Sequence, residues 1–300
     1  TCETKVYTMI KSTTLIFVLI IAMNHNSFSQ CSDAGVCTIG KHQVNESVIK
    51  SNHIYIGIVY GASGIEPDIN GNANDLIIPS FRLEADLDLK NNFRVNASLP
   101  YSFVSGPLGE KYGQGDLQVV FSKMFRIKKK HLLTFFAGGK FATGSVNSDD
   151  SLPQRYMPGL GTNDIIAGAV YSGVNYFFGV GYQKPFGRSA NYITRLKRGD
   201  DVFFRAGFFE EFKKVSIKAE ILTILRLQES NVLSTINPET FVDVSNSNEA
   251  QVNLLATAGY KFSDELTGTI QAALPFLKRD YNFDGLKRKF TIGVALSYNF

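Results

Sequence analysis

Asp280, Asn282 and Asp284 stand at alternate positions ahead of Gly285. This is the opening of a calcium loop, in which every second residue supplies an oxygen and a glycine makes the sharp turn. The twelfth position is Thr291 where such loops carry a glutamate, so the stretch also reads as an ordinary Asn/Asp/Gly turn. Asp68, Asn70 and Asn72 make a poorer copy, with Ala73 where glycine is wanted. Cys31 and Cys37 offer a second chemistry. In an exported chain two thiols this close predict a local disulfide, while a metal site would want clustered histidines beside them. Gly159-Leu160-Gly161 does not lead from a strand into a helix, so it is not a nucleotide loop. No cofactor beyond a structural calcium is expected.

A further set consists of charges at every second residue. Phe81, Leu83, Ala85, Leu87 and Leu89 alternate with Arg82, Glu84, Asp86 and Asp88, and Arg94, Asn96 and Ser98 follow in the same rhythm after Lys90-Asn91-Asn92. On extended chain this puts apolar groups on one face and charges on the other. Asp88 is expected opposite Arg94 and Asp86 opposite Asn96. Likewise Arg205 is expected to face Glu220, with Lys218 one step nearer the turn. Such a face either selects solutes electrostatically in a polar lumen or forms a ladder of ion pairs that fills a narrow barrel. Lys123 breaks the rhythm, since Leu117, Val119, Phe121 and Phe125 share its face. A bulge or snorkelling to an interface would accommodate it.

The elements that must carry these residues are strands. About twelve segments alternate with period two, each near the length that crosses a bilayer when tilted. They lie near 53–62, 79–89, 93–102, 116–127, 132–143, 164–173, 176–185, 202–211, 214–226, 251–262, 265–276 and 289–300. The connections alternate between long and short throughout, as short periplasmic turns and long external loops do in bacterial barrels. None of them carries an amphipathic helical pattern, which excludes an α/β fold. Residues 289–300 alternate Phe290, Ile292, Val294, Leu296, Tyr298 and Phe300 with small or polar residues, and end in mid-strand on an aromatic. Tyr298 and Phe300 therefore read as the insertion signal of an outer-membrane barrel, whose last strand must pair with its first. Leu99-Pro100-Tyr101, Lys184-Pro185-Phe186 and Leu274-Pro275-Phe276 recur at strand ends, where proline would mark the end of pairing and the aromatic the outer interface.

Composition agrees, with 26 Gly, 24 Phe, 13 Tyr and no Trp, and a mean hydropathy near zero as half-polar strands require. The formal net charge is +4, and about +3 without Glu3, Lys5 and Lys11 of the leader, which gives no case for nucleic acid. Lys11, the apolar run Leu15 to Met23 and Ser27-Phe28-Ser29 read as a secretory signal peptide cleaved before Gln30. An acylated Cys31 would need a small residue in place of Gln30. Residues 30–51 form a plug or a periplasmic lead-in. His42, His53 and His131 fall in that lead-in or at the periplasmic end, away from the outer rim where barrel hydrolases work, so no enzyme is expected.

Gly113-Gln114-Gly115-Asp116-Leu117 and Pro158-Gly159-Leu160-Gly161-Thr162-Asn163-Asp164-Ile165 open the fourth and sixth strands. Together they resemble the paired G-x-G-D and G-x-G-T-x-D motifs of the family named for the MetA pathway of phenol degradation, grouped with FadL-type channels. The resemblance covers roughly residues 90–300 and implies an outer-membrane barrel that transports hydrophobic compounds. Asn163 stands where that family often has Gly or Ser, and the lead-in is shorter than a FadL-type hatch.

The expectation is a leader at 1–29, a segment at 30–51 and an all-β, transmembrane, antiparallel up-and-down barrel at 52–300. Both termini would lie in the periplasm of a Gram-negative bacterium. Its partners would be the lipid bilayer, the barrel-assembly machinery and small solutes. Its function would be passive uptake of small organic solutes, aromatic or amphipathic, with Arg82, Glu84, Asp86, Asp88, Arg94, Arg205, Lys218 and Glu220 lining the lumen. The alternative is a non-conducting structural barrel that binds partners through its long loops.

Overall fold

The computed structural model describes residues 52–67, 73–145, 152–237, 239–277 and 288–300. The leader, Cys31 and Cys37, and the Asp280, Asn282 and Asp284 motif lie outside the described residues. The strands in chain order are β1 (His53–Pro67), β2 (Ala73–Ile77), β3 (Ser80–Asp88), β4 (Phe93–Gly106), β5 (Gly109–Gln114), β6 (Leu117–Lys128), β7 (His131–Phe141) and β8 (Asn163–Ser172). They continue as β9 (Tyr176–Phe186), β10 (Asp201–Phe212), β11 (Val215–Arg226), β12 (Ser230–Leu233), β13 (Phe241–Val244), β14 (Ala250–Lys261), β15 (Leu266–Leu277) and β16 (Arg288–Asn299).

Twelve of these, all but β2, β5, β12 and β13, pair antiparallel with their neighbours into a closed barrel. Closure comes from β16 against β1, running from His53 opposite Asn299 to Ala62 opposite Phe290. The Phe300 amide donates to the Asn52 carbonyl at 2.9 Å, so the last strand is bonded as the aromatic ending implied. Closure leaves no strand edge for lipid to meet. The start of β1, the end of β16 and all the short turns share one end, and the long connections share the other. In the short turn between β3 and β4 Asn91 and Asn92 take φ of 62° and 60°, left-handed values that asparagine tolerates.

Ten barrel strands lie within about two residues of their sequence-derived bounds, whereas β1 and β4 run on past theirs. The excess has partners of its own. At the long-loop end β1 pairs with β2, and Tyr101 to Gly106 of β4 pair with β5, so the wall continues upward as hairpins.

The prolines require a correction. β9 ends at Phe186 and β15 at Leu277, as the motifs imply to within a residue, but β4 runs on past Pro100 to Gly106, and Pro100, Pro185 and Pro275 are each still paired on one side. On the other side the ladder stops two residues earlier, at Ser98 with β6, Gln183 with β10 and Ala273 with β16. The Gly115 amide reaches the Pro100 carbonyl at 2.8 Å on the side that β6 has left, so the missing proline N–H costs no ladder bond there.

The outer face is apolar: Ile56, Leu83, Phe121, Ile165 and Ile270 are all more than half exposed. So large a greasy surface is a liability in water and the right surface in a bilayer. Aromatic residues gather towards both ends of this band, with Phe93, Phe125, Phe212, Phe262 and Phe300 at the short-turn end and Tyr101, Phe103, Phe141, Phe186 and Phe276 at the other. Lys123 does face outward, and no bulge turns it in. It snorkels instead: Nζ donates to the Asn91 carbonyl at 2.5 Å and lies 4.1 Å from the centre of the Phe93 ring.

Candidate transport lumen

Because outward positions are fixed by lipid, every second residue points inward, and burial divides the inward set into two regions. From β3 to β11 the interior is packed solid in its middle and upper parts. On β4 the inward Arg94, Asn96, Ser98, Ser102 and Val104 are all buried, as are Gln118, Val120, Ser122 and Met124 on β6. At mid-height Val120, Phe136, Ile166, Val170, Phe203, Leu222 and Leu255 form an apolar cluster. Its rings lie against glycine-bearing wall: a Cβ at Gly168 would stand 2.4 Å from Phe136 Cζ and 2.3 Å from the Val180 carbonyl. Phe136, Val170, Phe203, Leu222 and Arg205 also line a slight apolar recess.

Charges are inserted into this packing as ion pairs. Near the short-turn end Arg94 Nε lies 3.2 Å from Asp86 and His53 Nε2 is 3.4 Å from the same carboxylate, and further up β3 Arg82 is 3.4 Å from Glu84. The register places Arg94 opposite Asp88 and Asp86 opposite Asn96 as expected. The contact to Asp86 is therefore a diagonal one, within reach of a long side chain. The same correction applies to Arg205. Its direct partner in the register is Leu222 and that of Glu220 is Gly207, yet Arg205 holds Glu220 across the diagonal with Nε at 2.8 Å and a terminal nitrogen at 2.7 Å. Lys218 adds 3.0 Å to Glu220 and lies 4.9 Å from the centre of the Phe177 ring.

A second group of charges, not singled out in the sequence, closes the long-loop end. Lys140 lies 3.3 Å from both Asp116 and Asp164, and Arg198 reaches Asp164 at 2.5 Å. Arg226 grips Asp201 directly opposite with bonds of 2.9 and 2.8 Å, and Gln183 donates to Asp164. Asp116 and Asp164 are the acids of the two glycine motifs, so a signal was present. The motifs fold onto each other: Asp116 accepts from the amides of Gly144 at 3.1 Å, Leu160 at 2.8 Å and Gly161 at 3.3 Å. A Cβ on Gly159 would stand 2.7 Å from Gly144 Cα and 2.8 Å from Asp116 Oδ1, so this approach requires glycine.

Two long connections complete the packed side. Tyr156 and Met157 cover Leu76, Ile78 and Val104, and the Tyr156 hydroxyl accepts from the Leu108 amide at 3.0 Å. Gln154 accepts from Ser189, its amide donates to Thr194 at 3.0 Å, and Asn191 donates to the Leu152 carbonyl at 3.0 Å. Residues 152–162 and 187–200 are thereby tied together. Outside this seam Arg188 lies over the Phe241 ring at 3.6 Å; burial, then Arg195 beside it, lowers its pKa from the ordinary guanidinium value.

On β15 and β16 the interior is different. The inward Thr267, Thr269, Gln271 and Ala273 are only half-buried, and so are Thr291, Gly293, Ser297 and Asn299, with Ala295 the one buried position. These side chains are small; Ala273 packs against the apolar cluster, and the others do not fill the interior as Phe136, Phe203, Arg94 and Arg205 do.

A closed twelve-strand wall with long loops at one end and a partly filled interior permits comparison with solved barrels. No protein-family model and no curated protein matches the sequence. An outer-membrane channel from Pseudomonas putida F1 superposes with a TM-score of 0.63 at 16% identity, covering 83% of this chain and 95% of that one. The fold is that of an outer-membrane barrel. A second likeness, to the NanC porin, has a TM-score of 0.51 at 9% identity and covers 82% of this chain and 100% of that one. The resemblance suggested by the glycine motifs is borne out at the level of fold.

All eight sequence-derived lumen residues point inward, but they are not gathered into one site. Arg82, Glu84, Asp86, Asp88 and Arg94 belong to one wall and Arg205, Lys218 and Glu220 to another. Most are spent on each other inside the packing. His53 and His131 both lie at the short-turn end, the first beside Asp86 and the second 2.7 Å from the Tyr171 hydroxyl. His42 lies outside the described residues.

Proposed function

We propose that the protein is an outer-membrane channel for passive uptake of small organic solutes, with the short-turn end and both termini in the periplasm. One observation carries the reading: a barrel whose interior is packed over most of its circumference keeps the β15–β16 sector open, which a purely structural barrel has no need to do. The likeness in fold to an outer-membrane channel supports it. Lys218, whose side chain keeps 20% of its exposure inside the barrel, and Arg82 with 14% are the members of the charged set able to act on a solute.

The bound loops 152–162 and 187–200 favour a second reading, a closed barrel that displays loops such as the β12–β13 hairpin to a partner. Solute flux into liposomes separates the two. Residues 30–300 would be refolded and offered a small sugar, an amino acid and a small aromatic acid, with and without residues 30–51. Flux that depends on the solute supports the channel. No flux from a correctly folded barrel in either form would overturn it.

A further inference from the structure

We infer that solutes cross along the wall formed by β15, β16 and β1, and that this wall admits uncharged molecules rather than ions. The inference rests on the channel reading and assigns the path and solute class within it. Three observations carry it. First, the inward positions that remain open are concentrated there. Thr267, Thr269, Gln271 and Ala273 on β15 and Thr291 and Ser297 on β16 are half-buried, whereas the inward residues in the middle of β4 and β6 are buried. Second, the inward faces of β15 and β16 from Thr267 to Ala273 and from Thr291 to Asn299 carry hydroxyls, two amides and small apolar groups and no ionisable side chain. Tyr55 and Val59, also half-buried, extend that lining onto β1. Third, the ionisable groups of the opposite wall are already paired: Arg205 with Glu220, Arg226 with Asp201, and Lys140 with Asp116 and Asp164.

An ion passing between Thr291 and Asn299 loses hydration, and no ionisable side chain on the inward faces of that stretch of β16 or of β15 from Thr267 to Ala273 replaces it. An uncharged solute with a few hydroxyl or carbonyl groups exchanges water for threonine and glutamine partners and lays its apolar part on Ala273 and Val59. The predicted cargo is a small, neutral, amphipathic molecule. Most of the charged residues read as selective from the sequence are buried in pairs and shape the passage from behind, while Lys218 and Arg82 keep some exposure to it from the opposite wall.

Cysteine substitution tests this directly. In the full chain with Cys2, Cys31 and Cys37 replaced by serine, Thr269→Cys and Ser297→Cys probe the open wall. Ser122→Cys and Thr134→Cys probe the packed one, where both residues are buried. Each variant, checked for folding by heat-modified gel mobility, is exposed in liposomes to a charged, water-soluble thiol reagent. Swelling is then measured with a neutral pentose and with the corresponding sugar acid. The open-wall cysteines should be modified at least about tenfold faster than the packed-wall ones, and their modification should cut pentose flux about tenfold. Unmodified protein should pass the pentose several-fold faster than the acid. Flux that is unchanged after Thr269→Cys is modified, equal labelling of both walls, or faster passage of the acid would overturn the inference while leaving the channel reading intact. Failure of the unmodified protein to pass either solute would overturn the channel reading itself, and the path with it.

Discussion

The two halves of the barrel interior are built from the same backbone and the same period-two pattern, yet one is solid and the other open. Between β3 and β11 the inward residues are large or charged, and they meet across the axis in rings, guanidinium–carboxylate pairs and loop side chains. On β15 and β16 they are threonine, serine, asparagine, glycine, alanine and glutamine, and among the described residues no loop packs onto them. The difference teaches that charge does not mark the lumen of this barrel. Side-chain volume does, because an interior too wide to be filled by small residues stays open wherever only small residues face it.

The contrast can be broken most forcefully at the buried pairs. Arg205→Leu should leave the Glu220 carboxylate buried without its bidentate partner and lower unfolding stability by about 3–5 kcal/mol. Adding Glu220→Leu should recover most of the loss, as read from urea unfolding in lipid vesicles. Overfilling the solid half comes next. Gly168→Val would press against Phe136 and the Val180 carbonyl and should cost about 1–3 kcal/mol in the same assay. Smaller still is the outward Lys123→Met, which removes a charge already at an interface along with its bond to Asn91. We expect a change within about 1 kcal/mol, where a midplane lysine would have gained far more. Least of all, Thr269→Val on the open wall should alter stability by no more than about 0.5 kcal/mol, because Thr269 is only half-buried and the change keeps its shape. A large loss there would mean that the wall is filled in the working protein.

Much of the architecture was legible because lipid enforces the pattern. Strand alternation, the rhythm of short and long links and the aromatic ending of β16 are all dictated by a bilayer outside and paired backbone within. They survive in the sequence because a one-residue slip would turn every lipid-facing side chain inward. Pairing partners were less legible. Arg205 and Glu220 were matched as if arginine reached straight across, when its length lets it take the diagonal. Arg198 could not be placed at all, since it comes from an irregular connection with no periodicity to follow. Asp116 and Asp164 were visible only as members of glycine motifs, and their convergence on Lys140 needed the fold. The open wall was half-seen: the face of Thr291, Gly293, Ala295, Ser297 and Asn299 was recognised as small or polar, but emptiness is a property of what stands opposite, which one strand does not record.

The clasp of Asp116, Lys140 and Asp164 also bears on the order in which the barrel assembles. It joins the tops of three successive strands, β6, β7 and β8, through residues close in sequence, so little chain entropy is lost in forming it. The seam between β1 and β16 joins residues near opposite ends of the described chain, from His53 with Asn299 onward, and carries the highest loop-closure cost of any pairing in the wall. Local ordering around the clasp can therefore template the middle of the sheet early, while the ends remain available to the membrane until the last step zips them together.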